Sequence, residues 1–340
     1  MSTSHDVALV TDAMSGKVVV VTGANSGLGL DTCKTLAKQG CSKVILLCRN
    51  EGRAKEAIEL LKHEASKSGT VFEYIHFDGS DNASSRYAAQ ALKDRNEKVD
   101  CILLNAGGMG GRGVSKLTSA GCTEQMAMNV VGHALLIEEM LRHSTLSAGA
   151  RIVYATSESA VGMGPFPKPE FPHGEDSVAK HLNSTFTGKP LKWTGPGYMG
   201  VSGYGCSKAI GSMYFCHLAT LHPELYISSV SPGATSGTAA MKESPGWFVC
   251  IAKTLAAVMM HGLQKGTARY VDALTAHDYP QRFPSGAVVM SFDNEKATGK
   301  VCNYALEDTK KKKNVTAHFQ DKELHAGAYR AVQKHFEASA

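Results

Sequence analysis

Hydrophobic positions along the chain alternate between short β-branched runs and longer amphipathic stretches. The first run, KVVVVTG at residues 17–23, is continuous, which is typical of a strand buried on both faces. ANSGLGLDTCKTLAKQG follows, with apolar residues at helical spacing and Gly40 as a predicted C-cap. KVILLCRN predicts a second strand, and EGRAKEAIELLKHEASKSG predicts a second amphipathic helix. Further strands are predicted at VFEYIHFD, VDCILLNAG, RIVYATS and YISSVSPG.

This alternation predicts an α/β fold, a Rossmann-type doubly wound parallel sheet with helices on both faces. We expect one domain over residues 17–340 after an N-terminal extension, residues 1–16. Residues 160–202 break the pattern, because they are rich in Gly, Pro, Phe and His without clear periodicity. The lysine run TKKKKN at residues 309–314 is typical of a solvated loop, and no aromatic platform or wider basic face accompanies it. We therefore expect no nucleic-acid partner.

Composition agrees with a globular protein, with 43% hydrophobic residues, 20% charged residues and a formal charge of +5. Nine cysteines without CxxC spacing favour a reducing compartment, and we expect a cytoplasmic protein. The N-terminus has neither a basic region nor an apolar core of the kind that a secretory signal needs. The most apolar stretch, residues 247–260, is too short for a transmembrane segment and contains Lys253. The histidines are scattered, so no metal site is predicted.

A glycine-rich turn lies between the first strand and the first helix. VTGANSGLGL places Gly23, Gly27 and Gly29 there, where glycine permits a tight turn and a close approach to a pyrophosphate. A merely tight turn is the alternative. The context of strand, turn and helix favours a dinucleotide site.

The end of the second strand bears on which dinucleotide is bound. NAD sites usually hold an Asp or Glu there, whereas this chain has Cys48, Arg49 and, one turn further on, Arg53. A guanidinium suits the 2′-phosphate of NADP, which a carboxylate would repel. Arg49 could instead be a solvated charge at the strand end. The absence of an acid at residues 47–50 favours NADP(H).

The segment GYGCSK places Tyr204 four residues before Lys208, so on a helix both side chains lie on one face. Spacing alone fits ordinary packing as well as a proton-transfer pair. Which of the two applies depends on whether the rest of a reaction site is present.

The ordered motifs of the chain resemble those of the short-chain dehydrogenase/reductase family. These are TGANSGLG, Asp78 in HFDGSD, the NAG triplet, Asn129 in MNVVGH, RIVYATS, YGCSK and SPGATSGT. GLGL, the CRN strand end and NVVGHALL look most like the branch of retinol dehydrogenases and light-dependent protochlorophyllide reductases. The resemblance implies that NADP(H) is bound by Gly23, Asn25, Ser26, Gly27, Leu28, Gly29, Arg49, Asn50, Asp78, Asn105, Ala106, Gly107, Tyr204, Lys208, Pro232, Gly233 and Thr238.

The resemblance also implies the catalytic roles. Tyr204 is the general acid in carbonyl reduction, or the base in alcohol oxidation. The charge of Lys208, together with the positive nicotinamide of the oxidised cofactor, lowers the pKa of its phenol. Ser157 donates a hydrogen bond to the substrate oxygen, although Thr156 and Ser159 lie close enough in sequence to take that role. Asn129 holds a water that links Lys208 to solvent. We expect Cys206, inside the motif, to be a small packing residue.

The chain departs from the family pattern between Ser157 and Tyr204, which are 204 − 157 = 47 residues apart. Family members usually have about a dozen residues here, so residues 160–202 form an insertion before the catalytic tyrosine. Such insertions tend to roof the active site and to cover the helix face used for dimerisation. We therefore expect a monomer or a homodimer.

A substrate lid is predicted at about residues 239–265, where apolar side chains recur at helical spacing. An amphipathic helix packed on the core would give the same pattern. As a lid it would cover an apolar substrate, with walls from Trp247 and the insertion's Phe166, Phe171, Trp193 and Tyr198.

The sequence thus predicts an NADP(H)-dependent oxidoreductase that acts on the carbonyl of a small hydrophobic aldehyde or ketone. Two alternatives stay open. One is reduction of a carbon–carbon double bond in a pigment-like substrate, with or without light. The other is a catalytically silent NADP-binding regulator, although regulators commonly lose the tyrosine, the lysine or the serine.

Overall fold

The structure is a computed structural model that describes residues 14–108, 117–162, 169, 171, 186–187, 199–233, 235, 262–291, 301–303 and 317–337. Its first half alternates strand and helix: β1 (Val18–Thr22), α1 (Gly27–Lys38), β2 (Lys43–Cys48), α2 (Glu51–Glu64), β3 (Val71–His76), α3 (Asn82–Asp94) and β4 (Val99–Leu104). Then come α4 (Glu124–Met126), a π-helical turn (Ala127–Val131), α5 (Gly132–Arg142), β5 (Leu146–Ala155) and a 3-10 turn (Glu158–Val161). The remaining elements are α6 (Met199–Leu221), β6 (Tyr226–Val230), α7 (Leu263–Thr275), α8 (Tyr279–Arg282), β7 (Ala287–Ser291), β8 (Val301–Asn303), α9 (Ala317–Gln320) and α10 (Lys322–Gln333).

The strands form one sheet in the order β3-β2-β1-β4-β5-β6-β7-β8. Seven strands are parallel, and β8 joins the edge antiparallel to β7. Strand order reverses between β1 and β4, and ligands of such sheets bind at the carboxyl ends of the strands beside this switch point. The predicted doubly wound parallel sheet is confirmed.

Continuous apolar strands place one hydrophobic core on each face of this sheet. Val20, Ile102 and Ile152 belong to one core, whereas Val19 and Val153 belong to the other. All five are fully buried. Each such side chain contributes roughly 1.5–3 kcal/mol when it is removed from water, so the central strands form a rigid base for the loops at their carboxyl ends.

The sequence prediction is incomplete toward the C-terminus. The six predicted strands are present, but β7, β8 and the helices α7 to α10 lie beyond the last predicted strand. The sequence left the conformation of the insertion open; in the structure, residues 160–161 belong to the 3-10 turn and residues 199–202 to α6. Most of residues 163–198 and all of residues 309–314 lie outside the described residues. No described helix has the length and apolarity to cross a membrane.

The C-terminal helix α10 covers the outer face of α5 and α6. The ring of Tyr329 stacks on Tyr214 with centroids 5.0 Å apart. Both phenols donate to Glu138 Oε1, at 2.9 Å from Tyr329 and 2.6 Å from Tyr214. Asn82 on α3 also donates to the main-chain carbonyl of His335 at 2.7 Å. The C-terminal helix of the chain thus covers this face of α5 and α6.

Candidate active site

The turn between β1 and α1 has a backbone that only glycine accommodates. Gly23 and Gly27 have φ values of +65° and +56°, in the left-handed region. A Cβ on Gly29 would lie 2.5 Å from the carbonyl oxygen of Gly23, so glycine lets α1 pack directly against the turn. The side chain of Ser26, at the N-cap, makes no capping hydrogen bond, and the first turn contains no acidic residue. The amides and the positive end of the helix dipole therefore suit a pyrophosphate.

The NAG triplet joins the ends of β1 and β4. Asn105 Nδ2 donates to the carbonyl oxygens of Thr22 at 3.1 Å and Gly23 at 3.4 Å. The amide of Ala106 donates to Thr22 Oγ1 at 2.9 Å. Gly107 has a φ of +154° and lies where a Cβ would meet the Asn129 side chain. The triplet therefore fixes the glycine-rich turn at the switch point of the sheet.

The adenosine end of the predicted site lies at the carboxyl ends of β2 and β3. Arg49 is exposed, and its Nε lies 3.9 Å from Asp78 Oδ2. Asp78 Oδ1 accepts hydrogen bonds from the amide and hydroxyl of Ser80 at 3.0 and 2.7 Å. Asn50 caps α2, because its Oδ1 accepts from the amide of Arg53 at 2.9 Å. A cavity of about 510 Å³ opens beside Arg49, and Tyr74, His76, Tyr87 and Arg95 are among its lining residues.

Asn129 lies in the π-helical turn before α5 and is fully buried. Its Nδ2 donates to the carbonyl of Gly108 at 2.9 Å and to Ser207 Oγ at 3.0 Å. Its Oδ1 accepts from the amide of Gly108 at 2.9 Å. Its main-chain carbonyl accepts from the Tyr154 hydroxyl at 3.0 Å. The side chain thus connects the loop after the NAG triplet to α6. π-helical turns are frequent at functional sites.

Ser157 follows β5 and is the candidate that meets Tyr204. The Tyr204 hydroxyl is hydrogen-bonded to the Ser157 side chain. Thr156 instead engages the main chain of α6, because its Oγ1 donates to the carbonyl of Lys208 at 3.4 Å. Ser159 Oγ is buried without a hydrogen-bond partner among the described residues. This geometry favours Ser157 for the serine role.

Tyr204 and Lys208 lie on one face of α6, directed toward the carboxyl ends of β4 and β5. Lys208 Nζ donates to the carbonyl of Ala155 at 2.8 Å. The same ammonium lies 5.8 Å from the centroid of the Tyr204 ring and 5.1 Å from that of Tyr154. Tyr204 and Lys208 thus lie close to Ser157 and to the loop that contains the NAG triplet. Cys206 is buried, as expected for a packing residue, and burial raises the pKa of its thiol to about 12.

Burial controls the pKa values at this site. It raises the pKa of the Tyr204 phenol to about 12, a change that the hydrogen bond to Ser157 partly offsets. It lowers the pKa of the Lys208 ammonium to about 7. In the protein without cofactor, loss of hydration is the largest influence on this phenol. Tyr204 therefore carries its proton at neutral pH. The expected lowering by Lys208 together with the oxidised nicotinamide stays a prediction.

A buried polar network lies directly behind Ser157. Glu158 Oε1 accepts hydrogen bonds from Ser291 Oγ at 3.0 Å and from the Ser291 amide at 3.3 Å. Arg269 Nη1 lies 3.6 Å from Glu158 Oε1. Ser231 Oγ donates to Glu158 Oε2 and accepts from the amide of Gly233 at 3.1 Å. The network therefore connects the end of β5 to the Pro-Gly segment after β6.

Sequence reasoning missed Glu158, Arg269, Ser231 and Ser291. A charged residue inside the apolar segment RIVYATSESAV was the only signal for Glu158, and nothing in the sequence linked it to Arg269. Of the predicted residues, Thr238 and nearly all of the lid lie outside the described residues, as do Trp247, Phe166, Trp193 and Tyr198. Phe171 packs against the core, with its ring 5.2 Å from that of His318.

The described residues fit a nicotinamide dinucleotide. The tight glycine cradle and uncapped helix start suit its pyrophosphate, and Pro232 and Gly233 lie at the other end of the same sheet edge. Within the described part of the chain, no group of three His, Cys, Asp or Glu side chains could hold a metal ion.

Comparison with known proteins supports the same resemblance. Residues 17–167 match the family model described as short chain dehydrogenase. A short-chain dehydrogenase/reductase of Armillaria gallica is 37% identical over 155 residues, which are 44% of this chain and 48% of that protein. The chain therefore spans about half the length of this relative. These matches support the resemblance to the family, and the branch within it stays a prediction.

Two further proteins are similar over longer stretches. A (+)-neomenthol dehydrogenase of Arabidopsis thaliana is 29% identical over 64% of this chain and 82% of its own length. A crystal structure of an NADPH-dependent 3-quinuclidinone reductase from Rhodotorula rubra superposes with a TM-score of 0.58, covering 85% of this chain and 94% of its own. Its sequence is 19% identical, so this likeness concerns the fold.

The buried ammonium of Lys208 makes stability depend on pH. Its pKa is about 7 in the folded protein, against an ordinary value of 10.5, so between these values the unfolded chain binds more protons. Stability should therefore rise with pH, by about 1.4 kcal/mol per unit from this group. Relative to Lys208→Met, we expect the native protein to gain about 2 kcal/mol between about pH 7 and pH 9 in urea unfolding without cofactor. A constant difference between the two proteins would show that Lys208 keeps its ordinary pKa.

Proposed function

We propose that this protein is an NADP(H)-dependent oxidoreductase that transfers hydride between NADPH and the carbonyl of a hydrophobic aldehyde or ketone, with the alcohol as reverse substrate. The observation that carries the proposal is the meeting of Ser157, Tyr204 and Lys208 at the carboxyl edge of the sheet, beside the glycine cradle. The family match over residues 17–167 supports the oxidoreductase class.

The protein's part in the reaction is to hold the substrate oxygen and to supply a proton. The bound cofactor supplies the hydride. Ser157 donates a hydrogen bond to the carbonyl oxygen as negative charge develops on it. Tyr204, protonated at neutral pH because of its raised pKa, then gives its Oη proton to that oxygen.

Lys208 and Asn129 support the return of the proton. The Lys208 ammonium stabilises the phenolate that Tyr204 leaves behind, because its Nζ lies over the same ring. We propose that Asn129 keeps its predicted part in a relay to solvent. The main-chain carbonyl of Asn129 accepts from the Tyr154 hydroxyl at 3.0 Å and lies 3.4 Å from His133 Nδ1, so the turn that carries the Asn129 side chain is held in place.

The strand end after β2 supports NADP over NAD. Arg49 is exposed there, its guanidinium faces Asp78 only at 3.9 Å, and no acid occupies residues 47–50. The guanidinium can therefore turn toward a 2′-phosphate, with which it would make charge-assisted hydrogen bonds. Glu51, the nearest acid along the chain, pairs with Lys55 at 2.7 Å.

We expect Arg49→Glu to raise the KM for NADPH by about 10- to 100-fold and to change kcat little, because Arg49 lies far from the reacting carbon. The matched control is Lys62→Glu, which makes the same charge change on the exposed end of α2. Steady-state kinetics with NADPH and NADH measure both variants. Equal loss in the two variants, or a native preference for NADH, would contradict the assignment of Arg49.

The proposed substrate is hydrophobic because the predicted lid and insertion offer mainly apolar and aromatic residues. The relative named (+)-neomenthol dehydrogenase supports this class, since neomenthol is an alicyclic alcohol. We propose a cytoplasmic monomer or homodimer. A monomer is favoured by α10, which covers the face of α5 and α6 with the chain itself.

The proposal is tested by the loss of reduced-nicotinamide absorbance with NADPH and with NADH, against apolar aldehydes, ketones and quinones, in darkness and in light. We expect turnover in darkness with NADPH and hydrophobic carbonyls. Activity restricted to small hydrophilic sugars would refute the substrate class. A strict requirement for light would favour the pigment-reductase alternative, and tight NADPH binding without turnover would favour the regulator.

A further inference from the structure

The buried side chain of Tyr154 lies between Lys208 and Asn129. It is on β5, three residues before Ser157, and is fully buried. The Lys208 ammonium lies 5.1 Å from the centroid of its ring. Its hydroxyl donates to the main-chain carbonyl of Asn129 at 3.0 Å. One side chain thus contacts two of the four proposed catalytic residues.

The fold makes room for this phenol and fixes its ring. A Cβ at Gly211 would overlap the Tyr154 hydroxyl, so the glycine leaves the space that the phenol occupies. The ring stacks on Phe215 with centroids 4.9 Å apart and meets the edge of His133 at 6.3 Å. A residue packed this tightly holds its ring face in one direction.

The Lys208 ammonium has little hydration and needs other support. Its Nζ donates to the carbonyl of Ala155, while the rings of Tyr154 and Tyr204 lie beside it. His133, which also faces this region, is uncharged at neutral pH because burial lowers its pKa to about 3. The charge of Glu158 raises the pKa of Tyr204. Its carboxylate accepts hydrogen bonds from Ser231 and Ser291 and pairs with Arg269. The attraction between a cation and the face of an aromatic ring is larger when the cation is desolvated. Tyr154 is therefore well placed to stabilise the charge of Lys208.

We propose that Tyr154 is a positioning residue of the reaction site, whose ring face holds the Lys208 ammonium and whose hydroxyl holds the main chain of Asn129. The two contacts are separable. The ring governs the charge on Lys208, whereas the hydroxyl governs the position of the π-helical turn. The identity of the site rests on the proposed function, but the ring contact exists whether or not the protein turns over a substrate.

The test follows the pKa of Lys208 by carbon NMR of protein labelled at lysine Cε, without cofactor or substrate. The Lys208 signal is the one that disappears in Lys208→Met. We expect Tyr154→Leu to lower this pKa by about one unit, because the cation loses the ring face. Tyr154→Phe, which keeps the ring, should leave it within a few tenths of a unit. An unchanged pKa in Tyr154→Leu would overturn the ring contact.

A second pair of variants covers the case in which Tyr154→Leu does not fold. Phenylalanine and 3,4,5-trifluorophenylalanine at position 154 have nearly the same shape, but the fluorinated ring lacks the negative face. We expect the pKa of Lys208 to be lower with the fluorinated ring, and equal values would overturn the proposal. Because these readouts need no turnover, failure of the proposed carbonyl reduction and failure of the Tyr154 proposal are distinguished.

The hydroxyl contact is tested by kinetics. In Tyr154→Phe, the carbonyl of Asn129 loses a donor, so we expect kcat to fall several-fold with the KM for NADPH unchanged. The matched control is Tyr226→Phe, which removes a buried hydroxyl that donates to the carbonyl of Phe283 at 2.7 Å, outside the site. The same fall in both variants would assign the effect to general loss of packing and overturn the hydroxyl role.

Discussion

Replacing Tyr204 with phenylalanine is expected to lower kcat/KM for carbonyl reduction by about 10²- to 10⁴-fold, because the substrate oxygen loses its proton donor. The variant should fold and bind NADPH, since the ring remains on α6 and Lys208 keeps its hydrogen bond to Ala155. Turnover and cofactor titration with NADPH measure the two effects separately. The loss should lie in kcat as well as in kcat/KM, because the proton is transferred after the substrate is bound.

Tyr214→Phe is the matched control for this experiment. Tyr214 lies on the same helix, and its hydroxyl donates a partly buried hydrogen bond to Glu138 at 2.6 Å. We expect this control to lose some stability and to keep its activity within a few-fold. If Tyr204→Phe retained native turnover, Tyr204 would not be the proton donor.

Replacing Arg269 with methionine is expected to lower the free energy of unfolding by about 3–5 kcal/mol. The reason is that Glu158, with a side chain only 6% exposed, would lose the guanidinium that lies 3.6 Å from its carboxylate. Adding Glu158→Gln should recover part of the loss, because an uncharged amide is less costly to bury. Urea unfolding of the single and double variants gives the coupling energy between the two residues.

Arg282→Met provides the exposed comparison. Arg282 pairs with Asp272 at 2.9 Å, but these side chains are 40% and 42% exposed, so the loss should stay below about 1 kcal/mol. Since Ser231 connects Glu158 to Gly233, Arg269→Met should also weaken NADPH binding. Equal losses of unfolding free energy in Arg269→Met and Arg282→Met would show that the buried pair stabilises the fold no more than the exposed pair does.

The first two-thirds of the fold could be predicted because its signals are local. Strands such as β1 are continuous apolar runs, and α2 shows both helical periodicity and a capping Asn50. The last third gave weaker signals. β7 has five residues, of which the first four are apolar, and periodicity alone cannot distinguish so short a run from a buried helical segment. β8 has three residues.

Site residues could be predicted where they belong to sequence motifs. They could not be predicted where residues far apart in the sequence come into contact only in the folded protein. Ser157, Tyr204 and Lys208 could be placed from RIVYATS and YGCSK. Arg269 follows Glu158 by more than a hundred residues and lies on α7, which the fold packs against β5 and β6. Tyr154 was counted as part of a buried strand, because the sequence does not show what its ring and hydroxyl contact. The raised pKa of Tyr204 was missed for a similar reason, since burial cannot be measured from spacing.

Transfer of deuterium from NADPH labelled at the transferring position tests the central claim most directly. The protein is incubated in darkness with labelled NADPH and a panel of apolar aldehydes and ketones, conjugated enones among them, and any product is analysed by mass spectrometry and NMR. Our account predicts one deuterium on the former carbonyl carbon. Tyr204→Phe should transfer no more than a small residual amount of deuterium. Deuterium on an alkene carbon would identify a double-bond reductase instead. Tight NADPH binding without transfer to any acceptor would contradict an enzymatic function and favour a regulator.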